Sequence, residues 1–326
     1  MHSRNVLVTG GAGYIGSHAC QALAAAGYTP VVYDNLSHGH ADAVKFGPLV
    51  QADVRDDSAL LAAFRQYKPV AVMHFAALIK VAESVTHPAD YYNVNTHGAW
   101  QVLNTIRATG IVPFIFSSTA AVYGIPAASP ISENTPLNPI NPYGQSKLMV
   151  ENMLADYAHA YNLPSVSLRY FNAAGASLDG SLGVRTKAPT HLIPSALDAV
   201  LGHRLQLEMF GTDYPTPDGT AVRDYIHVTD LATAHVAALE HLLKGGETLR
   251  LNLGTGQGYS VREIINAVAE VTGRPVPVKE NPRRAGDPAE LVADASSARK
   301  ILNWQPQHSS LPTIIRTAWQ WRQSLV

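Results

Sequence analysis

The run Val6-Leu7-Val8-Thr9, followed by Gly10, Gly13 and Gly16, limits what this chain can fold into more than any other stretch. Successive apolar residues suit a strand buried on both faces. Behind the glycines, Ile15, Ala19, Ala22, Leu23 and Ala26 recur at helical spacing, and Gly27 is a helix stop. A strand, a glycine turn and a helix start bring bare backbone N–H groups and a helix dipole to one point, as a pyrophosphate requires. Asp34 ends the next strand, Thr29 to Tyr33, 18 residues beyond Gly16. A carboxylate there accepts from a ribose 2′-hydroxyl and repels a 2′-phosphate. No arginine stands beside it, so the pattern predicts NAD rather than NADP.

The 326 residues are enough for about two domains, or one large one with an insertion. Apolar residues make up 46% and charged ones 15%, with a net charge of −1. No basic stripe appears, so neither nucleic acid nor an anionic membrane is expected as a partner. No apolar run approaches the roughly 18 residues of a spanning helix. A strand under way by Val6 leaves no room for a signal peptide. Cys20 is the single cysteine, so no disulfide forms within the chain, which fits a cytoplasmic location.

Strand and helix alternate after Asp34. His38 and His40 lie in a polar loop without a third ligand at a metal spacing, so no metal is expected. Leu49 to Ala52 is a strand. Asp53-Val54 either meets an adenine ring or, through Asp53, caps a helix over Asp56 to Tyr67. Val70 to Phe75 is a fourth strand, and Ala76-Ala77 at its end are small enough for a cofactor to approach. A long helix is expected over Tyr91 to Ala108 and a fifth strand over Ile111 to Phe116. Ser117-Ser118-Thr119 would follow that strand at the ligand crevice. A Pro-rich stretch from Pro126 to Pro142 precedes a helix with Asn141 as N-cap and Pro142 at its first position. The whole predicts an α/β fold, a doubly wound Rossmann-type parallel sheet with a smaller mixed α/β substrate domain.

Tyr143 and Lys147 stand four apart on that helix and share a face. A phenol ordinarily ionises near pH 10. An ammonium one turn away, with a nicotinamide cation nearby, favours the phenolate. Such a group takes a proton from a sugar hydroxyl as hydride leaves the same carbon, and Thr119 would relay the proton or orient the hydroxyl.

These motifs, with Tyr123-Gly124 after the hydroxyls, resemble the extended short-chain dehydrogenase/reductases. The resemblance is closest to members that epimerise UDP-hexoses at C4. His74-Phe75-Ala76-Ala77, Phe114 to Gly124, Pro142 to Glu151, Leu168 to Asn172, Gly211 to His227 and Asn252 to Gly256 carry it over nearly the whole chain. It implies interconversion of UDP-galactose and UDP-glucose on tightly held NAD, in a homodimer. It also implies cofactor contacts from Gly10, Gly13, Tyr14, Ile15, Gly16, Asp34, Asn35, Asp53, Val54, Phe75, Ala76, Ala77, Asn95, Ser117, Tyr143, Lys147, Tyr170 and Phe171. Arg223 and Arg284 would grip the diphosphate, a bidentate task suited to arginine. Thr119, Asn172, His191, Leu192, Leu207, Phe210, Tyr225 and Asp287 would line the UDP-sugar site. Leu291 would gate the sugar pocket, leaving UDP-N-acetylhexosamines open as further substrates. A nucleotide-sugar 4,6-dehydratase would carry an acid pair where Ala120-Ala121 follow Thr119.

Val166 to Tyr170 is the sixth strand. The NAD-binding domain is expected over residues 1–172, with 226–253 returning to it: Ile226 as a strand end, Thr229 to Leu243 as a helix and Arg250 to Leu253 as a strand. Residues 173–225 and 254–326 would form the smaller domain, with helices at Leu192 to Leu201, Val261 to Thr272 and Ser309 to Trp321.

Overall fold

The computed structural model describes residues 4–186, 189–284 and 286–325. Its strands are β1 (Asn5–Thr9), β2 (Thr29–Asp34), β3 (Leu49–Gln51), β4 (Ala71–His74), β5 (Phe114–Thr119), β6 (Ser165–Tyr170), β7 (Asn172–Ala174), β8 (Leu207–Phe210), β9 (Val222–His227), β10 (Leu249–Leu253), β11 (Gly258–Ser260), β12 (Val278–Asn281) and β13 (Glu290–Leu291). The helices are α1 (Tyr14–Ala25), α2 (Asp57–Tyr67), α3 (Val81–Thr86), α4 (Pro88–Tyr91), α5 (Gly98–Thr109), α6 (Pro142–Tyr161), α7 (Leu192–Leu201), α8 (Val228–Leu243), α9 (Val261–Thr272), α10 (Ser296–Ile301) and α11 (Leu311–Gln323).

Seven strands form one sheet in the order β10-β6-β5-β4-β1-β2-β3. Every pair in it is parallel. Side chains alternate between its faces. Val6 and Val8 point to a core shared with Ala19 and Leu23 of α1 and Leu231 and Leu239 of α8. Leu7 points to the other face, against Leu60 and Phe64 of α2, Val102 and Leu103 of α5, and Val150 and Leu154 of α6. With both faces covered, the strands need the continuous apolar runs seen in the sequence. The order reverses between β1 and β4, and the crevice at their carboxyl ends is where such sheets take ligands.

A separate core gathers Ile193 and Leu197 of α7, Ile264 and Val268 of α9, and Ile314 and Ile315 of α11. Over it lie a small mixed sheet, β11-β9-β13 with β7 on β9, and the pair β12-β8.

Four expectations about elements are corrected. Strand β5 begins at Phe114 and ends at Thr119, so the three hydroxyl residues are its last turn of pleat, not a loop after it. The helix over Tyr91 to Ala108 starts at Pro88 and is wound as a π-helix over Tyr92–His97. Ile226 belongs to β9 of the small sheet, and the return to the large one begins with α8 and is completed by β10. Asp53 does not cap α2. Asp56 does, accepting from the Ala59 N–H at 3.0 Å, while Asp53 accepts from Arg55 N and Nε at 2.9 and 2.7 Å.

Candidate active site

The glycine turn has the form the spacing predicts. Gly10 has φ +71°, and a Cβ there would lie 2.5 Å from the Ala76 backbone nitrogen. The small residues after β4 and the glycines after β1 are therefore two sides of one close backbone approach. Gly16 abuts the Gly10 carbonyl closely enough to exclude any side chain. Gly13 is the N-cap of α1, in extended conformation, and no side chain caps the first turn. The amides of Tyr14, Ile15 and Gly16 thus face the crevice as an uncapped helix start, a ready anion cradle. The Tyr14 hydroxyl donates to the Gly175 carbonyl at 2.7 Å, and the Ile15 side chain packs into the core below.

Asp34 closes the other side. Its carboxylate accepts from the Ala12 N–H at 3.0 Å and the Leu36 N–H at 2.8 Å. A carboxylate offers about four acceptor positions, so two remain for ribose hydroxyls. Asn35 Nδ2 donates to Asp53 Oδ2 at 2.9 Å, and the Arg55 guanidinium beside Asp53 holds that carboxyl well below the usual range. The Val54 side chain is buried in the core beside α5. The uncapped helix start, the excluded Cβ positions and the spare acceptors on Asp34 fit a dinucleotide such as NAD.

At the end of β4, the Phe75 ring packs 4.7 Å from His235. Ala76 and Ala77 are half-buried. Asn95, inside the π-turn, is buried, and both its amide donors are used within the protein, on Leu78 O and Ser146 Oγ, each at 3.0 Å. These bonds brace the 76–78 segment against α6. Lys80 pairs with Glu83 at 3.2 Å, half-exposed.

Tyr143, Thr119 and Lys147 do converge. Asn141 caps α6 through the Gly144 N–H at 2.8 Å, and with Pro142 in the first turn it starts the helix so that Tyr143 faces β5. The Thr119 hydroxyl hydrogen-bonds the Tyr143 phenol. Lys147 Nζ is buried and donates to the Ser117 carbonyl at 2.9 Å, over the Phe116 ring. The Ser117 hydroxyl meets the Tyr170 phenol. The electrostatics differ from expectation. Burial pushes the Tyr143 phenol up, with only the Thr119 hydroxyl pulling it down, and burial pushes Lys147 down to about 7. Desolvation is the dominant influence on both groups.

The smaller core brings other residues to the same edge. Arg223 Nη2 donates to Asp287 Oδ1 at 2.9 Å, and Arg284 stacks on the Phe210 ring at 3.8 Å. Asn172 Nδ2 donates to the Asp224 carbonyl at 3.1 Å. His191 is the exposed N-cap residue of α7, its carbonyl accepting from Ser195 N at 3.1 Å, and Leu192 packs inward. The Leu207 and Tyr225 side chains are buried in the smaller core. Leu291 pairs in register with Arg223 and packs, with Phe171, against Ala120, Val122 and Tyr123.

Sequence reasoning missed the polar network behind the hydroxyl strand. Glu151, Arg169, Tyr123 and Asn252 are all buried and mutually bonded. The available signal was an arginine in the apolar run Val166 to Tyr170 and a glutamate one turn past Lys147 on its own face.

Residues 6–254 match the model of the NAD dependent epimerase/dehydratase family. The chain is 52% identical over 321 residues to a UDP-glucose 4-epimerase of Rhizobium leguminosarum bv. trifolii, covering 98% of each. Among solved structures it resembles UDP-glucose 4-epimerase from Brucella ovis in complex with NAD, at TM-score 0.95 and 54% identity over 97% of each chain. It also resembles UDP-glucose-4-epimerase from Stenotrophomonas maltophila with bound NAD and formylated UDP-arabinopyranose, at TM-score 0.96 and 42% identity over 99% of each.

Proposed function

The chain belongs to the NAD dependent epimerase/dehydratase family, and from that premise we propose how its residues act. It is an isomerase that interconverts UDP-galactose and UDP-glucose, with NAD as cofactor. The observation that carries the residue assignment is the meeting of Tyr143, Thr119 and Lys147 beside the glycine cradle. Ala120-Ala121 after Thr119 supply no acid for a dehydration.

NAD, when bound, supplies the acceptor that takes the C4 hydride and gives it back. Gly10, Gly13 and Gly16 with the α1 amides hold its pyrophosphate, and Asp34 holds its ribose. Asn35, Asp53 and Val54 flank the adenosine, and Phe75, Ala76, Ala77, Ser117, Tyr170 and Phe171 flank the other end. Tyr143 takes the proton of the 4-hydroxyl while Thr119 orients that hydroxyl. The sugar, now a 4-ketone, turns about its link to the diphosphate. Tyr143 then returns the proton to O4 as the hydride comes back to the opposite face. Arg223 and Arg284 keep the diphosphate fixed while the sugar turns, with Asn172, His191, Leu192, Phe210 and Asp287 around the nucleotide. Residues 1–172 with 226–253 serve the cofactor, and 173–225 with 254–326 serve the UDP-sugar. UDP-galactose deuterated at C4 is expected to give UDP-glucose that keeps the deuterium. Loss of label to solvent or to added NAD would overturn the closed cycle.

Leu291 bears on how broad the sugar pocket is. Leucine at this gate is smaller than an aromatic, so UDP-N-acetylgalactosamine is expected to react, more slowly than UDP-galactose. Leu291→Tyr should abolish that activity alone, and Leu291→Ala should raise it by about 1–3 kcal/mol in relative kcat/KM. An unchanged ratio with a lower Tm would make Leu291 a packing residue only.

The enzyme is read as a homodimer. Tyr92, Thr96 and Trp100 on one helix, and Met149 and Met153 on α6, form an apolar groove at i, i+4 spacing, with Trp100 41% exposed. A second copy meeting the same face about a two-fold axis would cover it. Trp100→Glu with Met149→Glu should give monomers by sedimentation, and an unaltered mass would rule this face out. Among the described residues no helix is long and apolar enough to cross a membrane. The buried, unpaired Cys20 supports a cytoplasmic setting.

A further inference from the structure

Tyr143, Lys147 and Glu151 occupy successive i, i+4 positions of α6, on one face of the helix. Each meets a different residue at the end of β5. Thr119 meets Tyr143, and the Ser117 carbonyl meets Lys147. Ser118, between them in sequence, donates from Oγ to Glu151 Oε1 at 2.5 Å. Glu151 is fully buried. Its two oxygens also take Arg169 Nε at 2.9 Å and Nη2 at 2.5 Å from the neighbouring β6. Arg169 Nη1 donates to the Tyr123 hydroxyl at 2.9 Å, which donates to Asn252 of β10 at 2.7 Å. Arg250, also on β10, reaches the Glu151 carbonyl at 3.2 Å. One carboxylate thus ties α6 to three adjacent strands.

A buried ion pair is a poor way to gain stability, since its desolvation cost often exceeds its attraction and apolar residues would serve as well. What it gives here is directional. The two-pronged contact from Arg169 and the bond from Ser118 fix both the rotation and the height of the helix on the sheet. We infer that Glu151 is a positioning residue: through Ser118 and Arg169 it sets where the Tyr143 phenol stands against Thr119 and the crevice. This rests on the reading of Tyr143 as the acid and base. Eight residues of helix separate Glu151 from Tyr143, about 12 Å along the axis. A pivot of about 5° at Glu151 moves the phenol by about 1 Å, a misplacement that costs up to about 10²-fold in rate.

The test uses the NAD-loaded enzyme and three variants. Ser118→Ala keeps the ion pair and therefore the fold. It should lower kcat about 5–10-fold with KM for UDP-galactose within about 2-fold of wild type, because orientation is lost and binding is not. Glu151→Met with Arg169→Met removes both charges and fills their volume. It should keep Tm within a few degrees yet lose about 10²-fold in kcat. Wild-type kcat in Ser118→Ala overturns the positioning role, whether or not the double variant folds. So does a loss that appears only in KM or only in Tm. Tyr143→Phe separates the two readings. If it stays active, the acid/base assignment fails. If it is inactive while Ser118→Ala is fully active, only the role of Glu151 fails.

Discussion

Tyr143→Phe should lower turnover by about 10²-fold or more while leaving the fold and the bound NAD in place. The change removes one oxygen. That oxygen has the Thr119 hydroxyl as its hydrogen-bond partner among the described residues, so a large loss of stability is not expected. What disappears is the group proposed to accept the sugar proton next to the glycine cradle. Burial raises the phenol, so a cation beside it is needed to make it a base at neutral pH. Lys147, pushed down to about 7, is one partner. Lys147→Met should therefore slow turnover, and it should also weaken NAD retention, since the amine sits among Ser117, Phe116 and the crevice. Steady-state rates and the NAD content of each purified variant check both statements. Full turnover in Tyr143→Phe would defeat the assignment, and a Lys147→Met protein changed in one property alone would defeat the double role.

Acid should unfold this protein well above the range where its carboxylates titrate. His18, His74, His227 and His235 are buried, and burial pushes His74 down to about 3 and the other three to about 4. The free ring nitrogens of His18, His74 and His235 have no partner among the described residues, so a proton there would be unsatisfied. Above pH 6.5 the rings are neutral in both folded and unfolded chains and contribute no pH dependence. As pH falls below 6.5 the unfolded chain takes up protons that the folded one refuses, and stability is lost until about pH 4, where the folded rings also titrate. At pH 5 each ring has removed about 2 kcal/mol, and four together about 8 kcal/mol. That is comparable with the whole stability of an ordinary domain. Lys147 adds nothing in this window, because below about 7 it is protonated in both states. Denaturant midpoints at pH 7.5 and 5.0 measure the effect, and His235→Leu should flatten it by about one quarter. Equal midpoints at the two pH values would contradict the account.

Local patterns carried most of the fold into the sequence. The glycine turn, the Asn141-Pro142 helix start and the Tyr143–Lys147 face each depend on residues within two turns of one another, so spacing alone reveals them. The parts that were not legible depend on distant partners. Strand β9 is claimed by β7, β11 and β13 rather than by the large sheet, and nothing within Val222–His227 says so. The bonds from Asn95 to Leu78 and Ser146 join segments far apart in sequence. The Lys147 amine found a backbone carbonyl of β5, a partner invisible in any side-chain pattern.

The contact between Gly10 and the exit of β4 has a consequence for how this chain can change. A methyl group on Gly10 would meet the backbone nitrogen and Cα of Ala76, not its side chain, and the φ of +71° would remain unfavourable besides. Trimming Ala76 to glycine therefore restores nothing. Gly10→Ala has no compensating second substitution in that segment, whereas Ala76 can shrink on its own. The floor of the crevice is closed to stepwise exploration in either order. Heritable differences in how members of such a lineage hold or release a cofactor must enter through the walls, at residues such as Asp34, Asn35 and Lys147.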